Sequence, residues 1–170
     1  MIIFNHISPA WNIDDFKSLN YKRAEYRGSD LLKKYVDAGH SIESLTLYNY
    51  FEPNPMPAGV YENIKPCFQY LKNISIAINL FNPGQFIPKH SDRYDRYREL
   101  HNLNFDYNII RIVVMLEDGI EGQILEIENK VYSFWKAGDC FGWTGHTPHA
   151  FYNFSTQKRY AMQITGVLGE

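Results

Sequence analysis

A chain of 170 residues is long enough to bury a core without disulfides or structural metal, and its 45% apolar and 21% charged residues exclude a disordered or low-complexity polypeptide. The 13 Tyr, 11 Phe and 3 Trp favour sheet over helix. With 17 Lys and Arg against 19 Asp and Glu the net charge is −2, so no global positive field exists to hold a phosphate backbone, and nucleic acid is disfavoured as a partner.

Residues 1–72 read as a largely helical segment. Asp14-Asp15 before Phe16, and Ser29-Asp30 before LLKKYVDAGH, have the form of helix N-caps, with Gly39 closing the second helix. A turn-rich EPNPMPAG precedes VYENIKPCFQYL, which predicts one more short helix interrupted or started near Pro66. The opening MIIFNHISPAWNID carries no basic leader, and no later apolar run approaches the ~18 residues of a membrane span. A cytoplasmic, non-secreted protein with no membrane partner is therefore expected, in the producing or host cell. Cys67 and Cys140 lack a CxxC spacing and read as reduced core thiols.

From Asn73 onward the pattern becomes strands: ISIAINLFN, QFIPKHSD, YNIIRIVVMLED, GQILEIEN, KVYSFW, DCFGW, HAFYNF and RYAMQITG, separated by Pro-Gly, Asp-Gly, Asn-Lys and Ala-Gly-Asp turn signals. The fold class expected is mainly β with N-terminal helices, a jelly roll over residues 73–166 under a helical cover of residues 1–72, in one domain spanning 1–170. Alternation assigns faces. Arg159, Ala161, Gln163 and Thr165 oppose Tyr160, Met162 and Ile164, and Ser75, Ala77, Asn79 and Phe81 oppose Ile74, Ile76, Ile78 and Leu80. The oily face is expected to pack under the N-terminal helices and the polar face to line a hydrated cavity.

His90-Ser91-Asp92 places an imidazole and a carboxylate two residues apart, on one face if extended, and His149 opens HAFYNFS far downstream. Two histidines and one carboxylate form a facial triad that leaves coordination positions open and suits non-haem Fe(II). His146 is a rival, but it sits in a Gly-Thr-Pro turn rather than at a strand start; His6, His40 and His101 have no metal partner at useful spacing. Arg159 follows His149 on the next strand, where a planar fork of donors inside a cavity needs an anion. Arg111 interrupts the apolar IIRIVVML and needs a carboxylate, supplied either by a ligand or by a protein Asp or Glu.

NLFNPGQFIPKHSD and GHTPHAFYNFSTQKRYAMQITG together resemble the Fe(II)- and 2-oxoglutarate-dependent oxygenases, whose core is a cupin-like double-stranded β-helix. RYAMQITG and KAGDCFGW look similar to the small oxygenases of cyanophages and marine bacteria, near the aspartyl/asparaginyl and prolyl hydroxylase branches. The resemblance implies His90, Asp92 and His149 as iron ligands and Arg159 as anchor of the far carboxylate of 2-oxoglutarate, with Arg111 and Asn79 helping to bind that cosubstrate. O2 is then the oxidant and hydroxylation the reaction, since halogenating members lack the carboxylate that Asp92 provides. Phe81 stands where relatives often have Tyr, and the additional Arg residues of the AlkB-like repair enzymes are absent after Arg159.

The stretch RYDRYRELHNLNFDY supplies Arg93, Tyr94 and Arg96 as candidate substrate residues on a mobile lid, a solvated loop or short helix being the alternative. Tyr48 and Tyr50 either line the cavity or pack a sheet edge. Free or peptidyl amino acids and small metabolites all remain as substrates. A non-catalytic cupin-like or lectin-like module, or a metal hydrolase using the same triad with Zn2+, are the competing functions, and neither needs Arg159. No oligomeric state is legible.

Overall fold

The computed structural model describes residues 2–24, 30–104 and 108–169; Ser29 and Tyr107, the expected cap and strand start, lie outside them. In chain order the elements are β1 (Ile2–His6), α1 (Ile13–Lys17), β2 (Lys22–Arg23), α2 (Asp30–Asp37), β3 (Tyr48–Phe51), a π-helical turn (Val60–Ile64) and a 3-10 turn (Lys65–Phe68). There follow β4 (Leu71–Phe81), β5 (Gln85–His90), α3 (Asp95–His101), β6 (Ile109–Met115), β7 (Gln123–Ile127), β8 (Lys130–Tyr132), β9 (Asp139–Thr144), β10 (His149–Asn153) and β11 (Arg159–Leu168). No helix among the described residues is long and apolar enough to cross a membrane.

Two antiparallel sheets face each other, one in the order β1-β9-β6-β11-β4-β3-β2 and the other β5-β10-β7-β8. All eight expected strands are present. Residues 1–72 add three more, because β3 pairs with β4, β2 with β3, and β1 with β9, extending the large sheet at both edges. In α1 the cap is Asn12, whose side chain accepts from the Asp14 N–H at 3.1 Å; Asp14 and Asp15 lie in the first turn instead, where the helix dipole favours negative charge. Gly39 adopts φ +99° beyond α2, a conformation that glycine tolerates without a Cβ clash. Cys140 is buried and free, whereas Cys67 is exposed on the 3-10 turn, whose buried residue is Phe68.

The alternation of β11 separates two cores. Tyr160, Met162 and Ile164 join Ile76, Ile78, Leu80, Ile110, Ile112 and Val114 on the outer face, under Phe16, Val60, Ile64 and Phe68 from the first 72 residues. Each fully buried side chain of this kind contributes roughly 1.5–3 kcal/mol of transfer free energy. On the inner face Phe81, Val113, Met115, Phe141, Trp143 and Ala161 meet Leu125, Ile127 and Phe151 of the small sheet. The inner layer is thus mostly apolar, and Asn79, Arg111, Arg159 and Gln163 are polar islands within it rather than one wall of a hydrated cavity. Tyr48 and Tyr50 point outward, packed against the outer core.

Candidate metal centre

His90 ends β5 and His149 begins β10, and the two are direct cross-strand partners, with ring centroids 4.4 Å apart. The register of β10 against β5 shifts between His149 and Phe151, an irregularity of the kind that re-aims side chains beside functional sites. Asp92 lies two residues past β5, its Oδ1 3.8 Å from His90 Nε2 and its Oδ2 3.6 Å from His149 Nε2. The ligand atoms of these three residues lie within 4.8 Å of one another, so the cluster could hold a metal ion.

Both histidines are prepared in the same way. His90 Nδ1 donates to the Pro88 carbonyl at 2.9 Å and His149 Nδ1 to the Thr147 carbonyl at 3.0 Å. A carbonyl can only accept, so each Nδ1 carries a proton, and each ring turns its Nε2 toward the cluster. Burial pulls the His149 pKa down to about 4, which keeps the ring neutral and able to ligate at neutral pH. Burial alone would raise the Asp92 carboxyl, but Arg111 and the two imidazoles outweigh it and hold the group below the usual carboxylate range. The side chain of His149 is 2% exposed and that of His90 29%, so the centre is open on the β5 side.

Arg111 places Nη1 2.9 Å from Asp92 Oδ2, so its carboxylate partner here is a protein Asp. Its guanidinium lies 5.0 Å from the centre of the Tyr94 ring. Tyr94 Oη, Trp143 Nε1 and Arg111 Nε make no hydrogen bond of good geometry, and Asp92 Oδ2 meets Arg111 outside such geometry, but the Tyr94 hydroxyl and the Trp143 N–H both face the Asp92 carboxylate. These donors gathered around one carboxylate favour its charged form, the form in which it could ligate a metal. Trp143 packs its ring 4.4 Å from that of His149.

Arg159 is 2% exposed and has no carboxylate partner among the described residues. Its contacts are the Ile124 carbonyl and Met115 Sδ, each at 3.5 Å, and the faces of Trp135, Phe151 and Phe81 at 4.5, 4.9 and 5.6 Å; its Nε has none. Burial lowers its pKa to about 9, still cationic at neutral pH. Phe151 connects it to the cluster, being 6.2 Å from the His149 ring on the same face of β10. Asn79 is 7% exposed and makes one long contact, 3.4 Å from its Nδ2 to Gln163 Oε1. It sits opposite Asn49 of β3, whose Oδ1 is buried and unpartnered.

Of the lid candidates, Tyr94 is at the site, 7% exposed. Arg93 points to solvent and pairs with Asp95 at 3.2 Å. Arg96, on α3, covers the Phe51 ring at 5.6 Å on the rim of the large sheet. His146 is exposed, offering only its carbonyl, to Ser91. Trp143 and Trp135 escaped the sequence reading; the alternation of Phe141 and Trp143 in DCFGW was the available signal for the first, and none existed for the second. A hollow of about 270 Å3 lined by Ser41, Ser44, Asn82 and Gly84 lies at the far end of β5 from His90 and contains none of these groups.

No family profile and no curated protein matches the sequence. Solved structures do. A prolyl-4-hydroxylase from Pseudomonas putida superposes with a TM-score of 0.57 at 14% identity, over 92% of this chain and 97% of its own. A candidate sugar phosphate isomerase from Acidithiobacillus ferrooxidans gives 0.51 at 13%, over 91% and 72%. The fold is a cupin-like double-stranded β-helix. At these identities the likeness concerns the fold, and the chemistry rests on the side chains.

Proposed function

We propose that this protein is an Fe(II)- and 2-oxoglutarate-dependent dioxygenase that hydroxylates an aliphatic carbon of a free or peptidyl amino acid or a small metabolite. The observation that carries the reading is Arg159, a buried cation without a carboxylate, separated by one phenyl ring from a His/Asp/His cluster. A hydrolase or a passive binding module would use the cluster and leave that cation unexplained. The fold shared with a prolyl-4-hydroxylase supports the same reading.

His90, Asp92 and His149 would hold the iron, and Arg159 the distal carboxylate of the cosubstrate through a planar pair of N–H donors. Bound iron and 2-oxoglutarate supply the oxidation of a C–H bond by O2, giving the alcohol, succinate and CO2. The chain's own residues bind and orient. The Nδ1 hydrogen bonds turn both Nε2 atoms toward the cluster, Trp135, Phe151 and Phe81 wall the guanidinium from water, and the exposed edge of His90 leaves the approach for substrate. Of the three candidate substrate residues, Tyr94 lies beside Asp92 and Arg111, while Arg93 and Arg96 would meet a substrate only beyond the site.

Anaerobic addition of Fe(II) and then 2-oxoglutarate to the metal-free protein tests the proposal through the visible charge-transfer band of the chelated cosubstrate. The band is expected in the wild type and strongly diminished in Arg159→Met. Iron binding with no band in the wild type would refute the assignment.

A further inference from the structure

Arg111 is the one inner-face cation that already has a protein partner. It projects from β6 between two cross-strand neighbours, Trp143 of β9 and Thr165 of β11, and places Nη1 2.9 Å from Asp92 Oδ2. The other carboxylate oxygen, Oδ1, has no Arg or Lys partner and lies 3.8 Å from His90 Nε2, while Oδ2 also lies 3.6 Å from His149 Nε2. Tyr94 stacks against the guanidinium at 5.0 Å. Its backbone is in the left-handed region, φ +59°, which a bulky residue adopts only when its surroundings impose it. The strained turn brings Asp92 and Tyr94, two residues apart, against the same guanidinium group, one by charge and one by its ring.

Resting on the metal-centre reading above, we infer that Arg111, braced by Tyr94, is a positioning residue that occupies Asp92 Oδ2 and leaves Oδ1 alone for the metal, instead of binding cosubstrate. A carboxylate free to rotate can ligate a cation through both oxygens. Holding one of them in an ion pair restricts Asp92 to a single coordination position, and that keeps the remaining positions available for the cosubstrate and O2. Arg is suited to this task because its planar guanidinium meets Asp92 through Nη1 while lying over the Tyr94 ring, which a Lys point charge does less well. Arg159 is then the sole inner-face cation, among the described residues, left to receive the cosubstrate's distal carboxylate.

The test uses Co(II) as an optical probe, added anaerobically to the full chain before any 2-oxoglutarate. Arg111→Gln is expected to change the position and intensity of the Co(II) visible bands, reporting a changed coordination number, and Arg111→Lys to restore them in part. A purely structural role would alter melting without this ordered spectral rescue. If Arg111→Gln does not fold, Tyr94→Leu removes the stacking surface while retaining the cation, and a spectral shift in the same direction is expected. Co(II) spectra identical to wild type in these variants, with 2-oxoglutarate affinity reduced tenfold or more in Arg111→Gln, would overturn the inference and assign Arg111 to the cosubstrate. A wild type that binds Co(II) but no 2-oxoglutarate refutes the oxygenase reading and leaves the spectral comparison decisive for Arg111. A wild type that takes up no Co(II) overturns both.

Discussion

Replacing Arg159 with Met should make the metal-free protein more stable while removing its response to cosubstrate. Burial lowers the Arg159 pKa from its ordinary value to about 9, a cost of holding the charge on the order of 5 kcal/mol. The three ring faces return on the order of 2 kcal/mol. About 3 kcal/mol of burden remains when no anion is bound, within the range that substitution of buried ionic groups by apolar ones relieves. Met matches the length of the aliphatic stem and asks for no partner. In a domain of this size each kcal/mol moves the melting midpoint by about 2–4 °C, so the variant should melt about 5 °C or more above wild type. The assay is thermal unfolding by circular dichroism, in chelator and in buffer without phosphate or carboxylates. Adding Mn(II) and 2-oxoglutarate should then raise the wild-type midpoint and leave the variant's unchanged. A variant that melts at or below wild type in the ligand-free state would show that Arg159 is satisfied internally, and the case for an anion site would fall with it.

Acid should destabilise the metal-free protein in a window set by His149. Its folded pKa of about 4 lies below the ordinary 6.5, so between those values the unfolded chain takes up a proton that the fold refuses, and stability falls as pH is lowered through the window by on the order of 3 kcal/mol. Denaturant titrations at pH 7 and pH 4.5 should show this slope in wild type and a shallower one in His149→Gln. Gly138→Ala should cost more than about 2 kcal/mol by urea unfolding, since Gly138 has φ +93° and an added Cβ would fall 2.0 Å from the Ile7 carbonyl. Met162→Ala, at a fully buried outer-face position, should cost about 2–5 kcal/mol yet leave Co(II) and 2-oxoglutarate affinities at wild-type values.

The strands from Asn73 onward were legible because alternation is imposed by burial on both sides of the large sheet, as β11 illustrates with Arg159 and Gln163 facing one way and Met162 and Ile164 the other. β1, β2 and β3 were not, for all are short, β1 and β2 are edge strands, β1 finds its partner far away in sequence, and a two-residue element such as β2 leaves no periodic trace. His90, Asp92 and His149 stood out through residue type and spacing, and Arg159 through its interval from His149. That Arg111 would meet Asp92 was one of two open alternatives, and the choice depends on the turn that carries Asp92 from β5 toward β6. Trp135 and Trp143 were hidden by abundance, since aromatic side chains occur throughout this chain and only packing reveals which of them touch a functional group.

β1 docks along β9, and the His6–Asp139 contact it brings spans 133 residues of chain. The two imidazoles meet across a strand pair whose members are likewise distant, and β11, at the middle of the large sheet, comes last in the sequence. Loop-closure entropy must be met before contacts of this range contribute, so the chain belongs with slow-folding, high-contact-order topologies. On the ribosome, His90 and Asp92 emerge well before His149 and remain a half-site until β10 has been made. Metal therefore meets the complete triad only after β1 to β9 have been made, and the exposed edge of His90 is the route by which it can enter.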